Sequence, residues 1–205
     1  MNNLFILKGD EKVPKIYSQE KRQEIREQIM DMGLELIKQD GMRKMSIEQI
    51  TKKVGIAQGT FYNFFDSKEM LVYGLANAYQ ERINKKMEKI IQTKGYLDRE
   101  DLRELYYGMI LKDEDNVYRF LKREDVQTFL TRLPSDCLSK ISDAKMQMEK
   151  NLCYVNEKKE KYDFDAILNW IQVMNLTVEN KDILVEIGIE KIIHRMIENM
   201  LDEIF

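Results

Sequence analysis

Ser46-Ile47-Glu48-Gln49-Ile50-Thr51-Lys52-Lys53-Val54-Gly55-Ile56-Ala57-Gln58-Gly59-Thr60-Phe61-Tyr62-Asn63-Phe64-Phe65 reads as two short helices about one tight turn. Ser46 with Gln49 three residues on has the form of a capping box, in which the hydroxyl takes an early backbone N–H and the amide reaches back. Ile47 and Ile50 then face inward, and Gly55-Ile56-Ala57 breaks the run. Phe61 and Phe65, four apart, anchor the inner side of the second helix. This is the helix-turn-helix arrangement. Its outward residues are Gln58, Gly59, Thr60, Tyr62 and Asn63. They suit a major groove: Gln and Asn pair with adenine edges, Thr meets a thymine methyl, and Tyr donates to a phosphate. Gly59 keeps the start of the second helix thin, so that backbone approaches the duplex closely.

On the N-terminal side, Ile25, Ile29, Met32, Leu36 and Ile37 recur at helical spacing after Ser18, and Gly41 stands where a left-handed residue ends a helix. Residues 1–17, with Gly9 and Pro14, lack that periodicity and read as a flexible arm; its Lys8, Lys12 and Lys15 are diluted by Asp10 and Glu11. On the C-terminal side, Ser67 offers a cap for a further helix. Beyond Leu75 the pattern is helical to the end, with breaks near residues 93–98, 112–115, 133–136, 156–163 and 177–182. No strand-like alternation competes, so the fold class is all-α. Two segments, 164–177 and 183–204, carry apolar stripes wider than one packing face needs. Burial on two sides and a place at the centre of the monomer core both account for them.

Composition removes other classes. Of 205 residues, 43% are hydrophobic and 34% charged, with nine Gly and two Pro, which describes a compact helical chain. A single histidine, His194, and two cysteines, Cys137 and Cys153, supply neither a zinc site nor a conventional catalytic triad, so no catalytic residue, metal or cofactor is assigned. The glycines are scattered, which leaves no phosphate-cradling loop. Two cysteines without a C-x-x-C spacing point to a reducing, cytoplasmic setting. The longest uncharged stretch, residues 166–178, is too short to span a bilayer, and the N-terminal apolar run is too short for a signal peptide. The chain carries net −3, yet residues 43–68 hold five cations against two anions, a local +3 at the helix-turn-helix. Lys68, in the first turn of the next helix, opposes the helix dipole, and a phosphate lying there would resolve the conflict. For Lys52 and Lys53, a solvated face and a DNA contact are both open.

The run from Gly41 to Leu71 closely resembles the N-terminal signature of the TetR family of bacterial transcriptional repressors: a helix ending in Gly, a Ser, an Ile, Gly55 before an aliphatic residue, Gly59-Thr60-Phe61-Tyr62, Phe65, and Lys68-Glu69 before an apolar residue. Three positions depart from it. Thr51 and Val54 stand where the family has small alanines, and Ala57 stands where a Ser or Thr caps the second helix, a cap worth about 1 kcal/mol. The resemblance implies a three-helix DNA-binding domain over residues 18–72 and a larger helical ligand-binding and dimerisation domain over 73–205. It also implies a homodimer on double-stranded DNA with a palindromic operator, and release by a small-molecule effector. Carried over by position, Ser46, Gln58, Gly59, Thr60, Tyr62, Asn63 and Lys68 match DNA contacts. The last two helices then form the dimer face, with Ile171, Ile189, Ile193, Met196, Ile197 and Met200 as its candidates.

The ligand domain is less explicit. Tyr106, Tyr107, Met109, Tyr118, Phe129, Trp170 and Met174 are candidates for an apolar pocket, and ordinary bundle core is the competing account for each. His194 is expected at the dimer seam or as a satisfied core group. A rival function keeps the same head but gives the C-terminal domain a protein partner, as in a DNA-binding adaptor or nucleoid-associated protein. A closed aromatic cavity separates the sensor from that rival.

Overall fold

The computed structural model describes residues 17–121 and 123–205, so the expected arm lies outside the described residues except for Tyr17. Helix α1, Gln19–Lys44, starts where the Ser18 hydroxyl accepts from the Lys21 N–H at 3.2 Å. Gly41 at φ 79°, ψ 161° interrupts it, so one further turn, Met42 to Lys44, follows the break. Helix α2, Ile47–Val54, carries both halves of the Ser46–Gln49 capping box and stops at Gly55 in the left-handed region, φ 78°. Helix α3 is a single turn, Gln58–Phe61, with no side-chain cap at Ala57. It is shorter than the Phe61–Phe65 spacing predicts. The chain tightens after Phe61, whose carbonyl accepts from both Phe64 (2.9 Å) and Phe65 (3.1 Å), and this still turns both Phe61 and Phe65 into the core.

Helix α4, Lys68–Lys94, begins at a Ser67 cap and ends at Gly95, φ 83°. At 1.5 Å per residue it is about 40 Å long. Leu71 and Val72 pack in the head while Tyr79, Ile83 and Met87 pack in the body, so the boundary expected at 72/73 falls inside one continuous helix. Helix α5, Arg99–Tyr107, opens on a second capping box, Asp98 with Asp101. It widens into a π turn, Gly108–Lys112, and a 3₁₀ turn follows at Val117–Phe120; neither was marked by periodicity.

Four more helices complete the body: α6 Arg123–Arg132, α7 Ser135–Asn151, α8 Phe164–Glu179 and α9 Glu186–Ile204. The last starts three residues later than expected because Lys181–Ile183 forms a separate 3₁₀ turn. Among the described residues the only extended pairing is an isolated bridge between Leu97 and Val155. No helix described is long and apolar enough to cross a membrane.

The broad stripe of α9 resolves in favour of the core. Ile193, Ile197 and Met200 are fully buried within the monomer and Ile189 nearly so, which corrects their assignment to a dimer face: their side chains are spent against the body. Met196 is half-buried. Among the described residues, the large apolar side chains that α8 and α9 leave exposed are Val173, Leu176 and Ile192.

Candidate functional site

Two places gather the candidate residues. The first is the outer face of α2 and α3. Gln58, Gly59, Tyr62 and Asn63 are exposed and Thr60 is half-buried. Tyr62 is 49% exposed, its ring edge-on to Phe61 at 5.6 Å, so the buried phenylalanine orients an outward phenol. Among the described residues no hydrogen bond engages the side chains of Gln58, Thr60, Tyr62 or Asn63. Gly59 has ordinary φ, and a Cβ added to it would meet nothing within 4 Å; the fold itself does not require glycine there. Ser46 uses its hydroxyl internally, accepting from the Gln49 N–H at 3.2 Å and lying 3.0 Å from Gln49 Oε1.

Lys68 is placed differently from its expected role. Its ammonium donates to the carbonyls of Met42 (3.1 Å), Met45 (3.1 Å) and Arg43 (3.5 Å), so its three N–H donors close the frayed end of α1. The conflict with the dipole of α4 is resolved by the opposite dipole end of α1, without a phosphate. Two cations that periodicity did not single out lie beside the reading face. Arg22 donates to the Asn63 carbonyl at 3.4 Å and lies over the Phe64 ring, and Arg26 lies over Phe65 at 5.1 Å. Their i, i+4 spacing on α1 is the signal that could have found them.

The second place is a cavity of about 270 Å³ in the body. Tyr106, Met109 and Tyr118 line it as expected pocket candidates, and so does Ile171, which was assigned to the dimer face. The others lie elsewhere. Tyr107 points outward, donates its hydroxyl to Glu190 and stacks on an exposed His194 at 4.5 Å, so neither ring is in the cavity or the core. Phe129 and Met174 are buried and Trp170 half-buried, all outside the lining. Missed were Tyr79, Gln80, Ile83 and Met87 on α4, Asn116 before the 3₁₀ turn, and Gln172 and Asn175 on α8.

Asn116 is almost fully buried. It donates to the Met109 carbonyl (3.1 Å) and to Asn175 Oδ1 (3.4 Å), and accepts from the Tyr118 N–H (3.2 Å), which ties the π turn, the 3₁₀ turn and α8 together. Tyr79 packs edge-on against Tyr118, and its buried hydroxyl has no partner among the described residues. Burial, reinforced by Asp113, pushes its pKa up, so the phenol remains a donor. Burial alone pushes Tyr106 up to about 12. The loop between the two turns is held from outside: Arg82 on α4 grips Asp113 through 2.7 and 2.8 Å bonds, and Lys38 on α1 pairs with Asp115.

The model of the bacterial regulatory proteins of the tetR family matches residues 29–73, which covers α1 from Ile29 through α3 into α4. Residues 29–73 thus form a head similar to that of the tetR regulators. Relatives agree with this head. The chain is 30% identical over 122 residues to the uncharacterized HTH-type transcriptional regulator YuxN of Bacillus subtilis, covering 58% of this chain and 41% of that one. It is 46% identical over 50 residues to the uncharacterized HTH-type transcriptional regulator YvdT of the same organism, covering 24% and 26%. The matches thus span less than half the length of these relatives. A wider likeness comes from the fold: the transcriptional regulator FadR from Bacillus subtilis, solved in complex with stearoyl-CoA, superposes with a TM-score of 0.60 at 19% identity, covering 87% of this chain and 99% of that one. The relatives matched are named as transcriptional regulators, and the all-helical fold of this chain is shared with that neighbour.

Proposed function

We propose that the protein is a dimeric repressor that binds a palindromic operator through Gln58, Thr60, Tyr62 and Asn63 and is released by a small-molecule effector bound in the body. The observation that carries the reading is the conjunction of an exposed polar face at α3, where among the described residues no hydrogen bond engages the side chains of Gln58, Thr60, Tyr62 or Asn63, and a separate aromatic cavity walled by the same α4 that leaves the head. A structural neighbour that holds stearoyl-CoA supports an effector for this fold. The cavity favours this sensor over an adaptor that takes a protein partner.

In a two-fold dimer the recognition helices meet successive major grooves roughly 34 to 36 Å apart, so each half-site is read once. Effector binding that favours another tilt of α4 changes that separation and weakens simultaneous engagement. The protein's place is with its DNA, in the cytoplasm. The test is selection of genomic fragments by the purified full chain, followed by footprinting. An inverted repeat protected on one duplex face supports the proposal; protection without sequence preference overturns it in favour of a nucleoid-associated role.

A further inference from the structure

Arg22 stands where the first turns of α1 meet the end of α3. Its guanidinium donates to the Asn63 carbonyl at 3.4 Å and lies over the Phe64 ring, 5.3 Å from the centroid. A carbonyl at one edge and an aromatic face beneath fix the plane of the fork, so less freedom is lost when its remaining N–H groups meet an oxyanion. The side chain is exposed and lines an open groove beside α3 that Glu20, Arg26 and Asn63 share. Two cations thus meet one anion there. The next carboxylates along α1 are engaged within that helix: Glu24 accepts from Lys21 (2.9 Å) and Gln28 (3.4 Å), and Glu27 accepts from Gln23 (2.7 Å). Arg26, one turn on, is placed differently. It is half-buried over Phe65, donates to Met30 Sδ, and lies with Nη2 3.9 Å from where a Cβ on Gly74 of α4 would stand. Arg26 therefore braces α1 against Phe65 and α4, whereas Arg22 is presented to solvent beside the reading face.

We infer that Arg22 is a phosphate anchor: it donates to the oxygens of one backbone phosphate beside the half-site while it holds the Asn63 carbonyl, so that the DNA strand and the end of α3 share one register. The inference rests on the DNA-binding reading above and adds to it a contact that no base sequence determines. Arginine suits the role because its planar fork meets a phosphate with two parallel bonds and stacks on an aromatic face, neither of which a lysine does. Phosphate contacts of this kind position a protein on the duplex and leave the choice of bases to the groove-facing side chains. Arg22 precedes both the run from Gly41 to Leu71 that carries the resemblance in sequence and residues 29–73 that match the family model, so its assignment comes from the geometry alone.

The test is fluorescence-anisotropy titration of the full chain and its Arg22→Ala, Arg22→Lys and Arg26→Ala variants over a range of salt concentrations. The probes are a genomic fragment recovered by the selection above and a mixed-sequence duplex of about three helical turns, ~30 base pairs. Arg22→Ala should weaken both duplexes by a similar factor, roughly tenfold at low salt, and lower the slope of log K against log salt by about 0.9 for each half-site engaged. Its urea midpoint should stay where the wild type's is, because the side chain is exposed. Arg22→Lys should restore the slope and part of the affinity. Arg26→Ala should lower the urea midpoint and leave the slope alone. An unchanged slope in Arg22→Ala overturns the anchor, and if Gln58→Ala still weakens binding to the selected fragment, the DNA-binding reading stands without it. Loss confined to the selected fragment also overturns it, because a phosphate contact acts on every sequence. Failure of the wild type to bind either duplex overturns both.

Discussion

Lys38 on α1 and Asp115, one residue before the cavity-lining Asn116, are joined Nζ to Oδ1 at 2.9 Å. This hydrogen bond is the main cause that holds the Asp115 carboxyl below its ordinary range, with Arg82 adding to it. The loop therefore touches the head through one side chain and the cavity through the next. An exposed or half-exposed pair of this kind contributes only about 0.2 to 1 kcal/mol to stability, which is little for a fold but enough to bias a two-state tilt.

Asp115→Asn should therefore change the melting temperature slightly and the DNA affinity of the free protein less than about threefold, a shift under ~0.7 kcal/mol. It should weaken the communication between sites. Amide hydrogen exchange of residues 34–42 on α1, measured with and without a cavity ligand, should respond in the wild type and respond less in the variant. An equal response in both would show that α4 alone carries the coupling.

The two kinds of lysine in the head should separate experimentally. Lys52 is exposed, so Lys52→Ala should lower the dependence of log K on log salt by about one if it meets a phosphate. Lys68→Met should leave that slope unchanged and lower stability by about 1 to 3 kcal/mol, because carbonyls at the end of α1 lose their donors. Salt titrations of binding together with urea unfolding of both variants decide the matter. A reduced slope for Lys68→Met with intact stability would return it to the DNA contacts.

Much of the head was legible because its geometry is set by local chemistry. The Ser46–Gln49 box, the Gly41 break and the left-handed Gly55 each need only residues within a few positions of one another. The carbonyl partners of Lys68 were not legible for the converse reason: they lie 23 to 26 residues away, and local dipole reasoning sees only its own helix. The same limit applies to the body. Stripe width on α9 records that residues are apolar, not whether a monomer or a partner covers them. Tyr79 and Asn116 become cavity residues only when α4, the π turn and α8 come together.

Gly33 offers a test of how tightly the head is fixed to α4. A Cβ at this position would stand 2.8 Å from Cδ2 of Leu71, which is fully buried. Leu71 cannot swing into solvent, so α1 and α4 must separate. Gly33→Ala should cost about 1 to 3 kcal/mol by overpacking, in spite of its better helix propensity. Adding Leu71→Val should recover part of the loss. Equilibrium unfolding of the single and double variants checks this; a stabilised Gly33→Ala would mean that the contact yields freely.

The body has its own pH signature. Arg103 first, then Arg99, hold the Glu198 carboxyl down to about 2 against the opposing effect of burial, and these bonds join α5 to α9. A carboxyl depressed from its ordinary 4.5 contributes stability that is fully present above about pH 4.5 and is lost as pH falls toward 2. Glu198→Gln should therefore flatten the fall of stability over that window and lower stability at neutral pH. Unfolding free energies at several pH values test it, and parallel curves for both proteins would contradict the assignment.

For the proposed dimer, the candidate face is the one whose apolar side chains the monomer fails to cover. Val173 and Leu176 on α8 and Ile192 on α9 are each more than two-fifths exposed, while Ile193 and Ile197 on the same helix are fully buried. A charge at an exposed position meets water in the monomer and an apolar partner in the dimer, so it acts against association alone. Leu176→Glu or Ile192→Glu should convert dimer to monomer in light scattering, with the helical content retained. Such a monomer should lose cooperative binding to a two-half-site operator while keeping single half-site contacts. Ile197→Glu should instead unfold the body, because the charge would be buried in the monomer itself. A dimer that survives both surface substitutions would place the two-fold axis on another face.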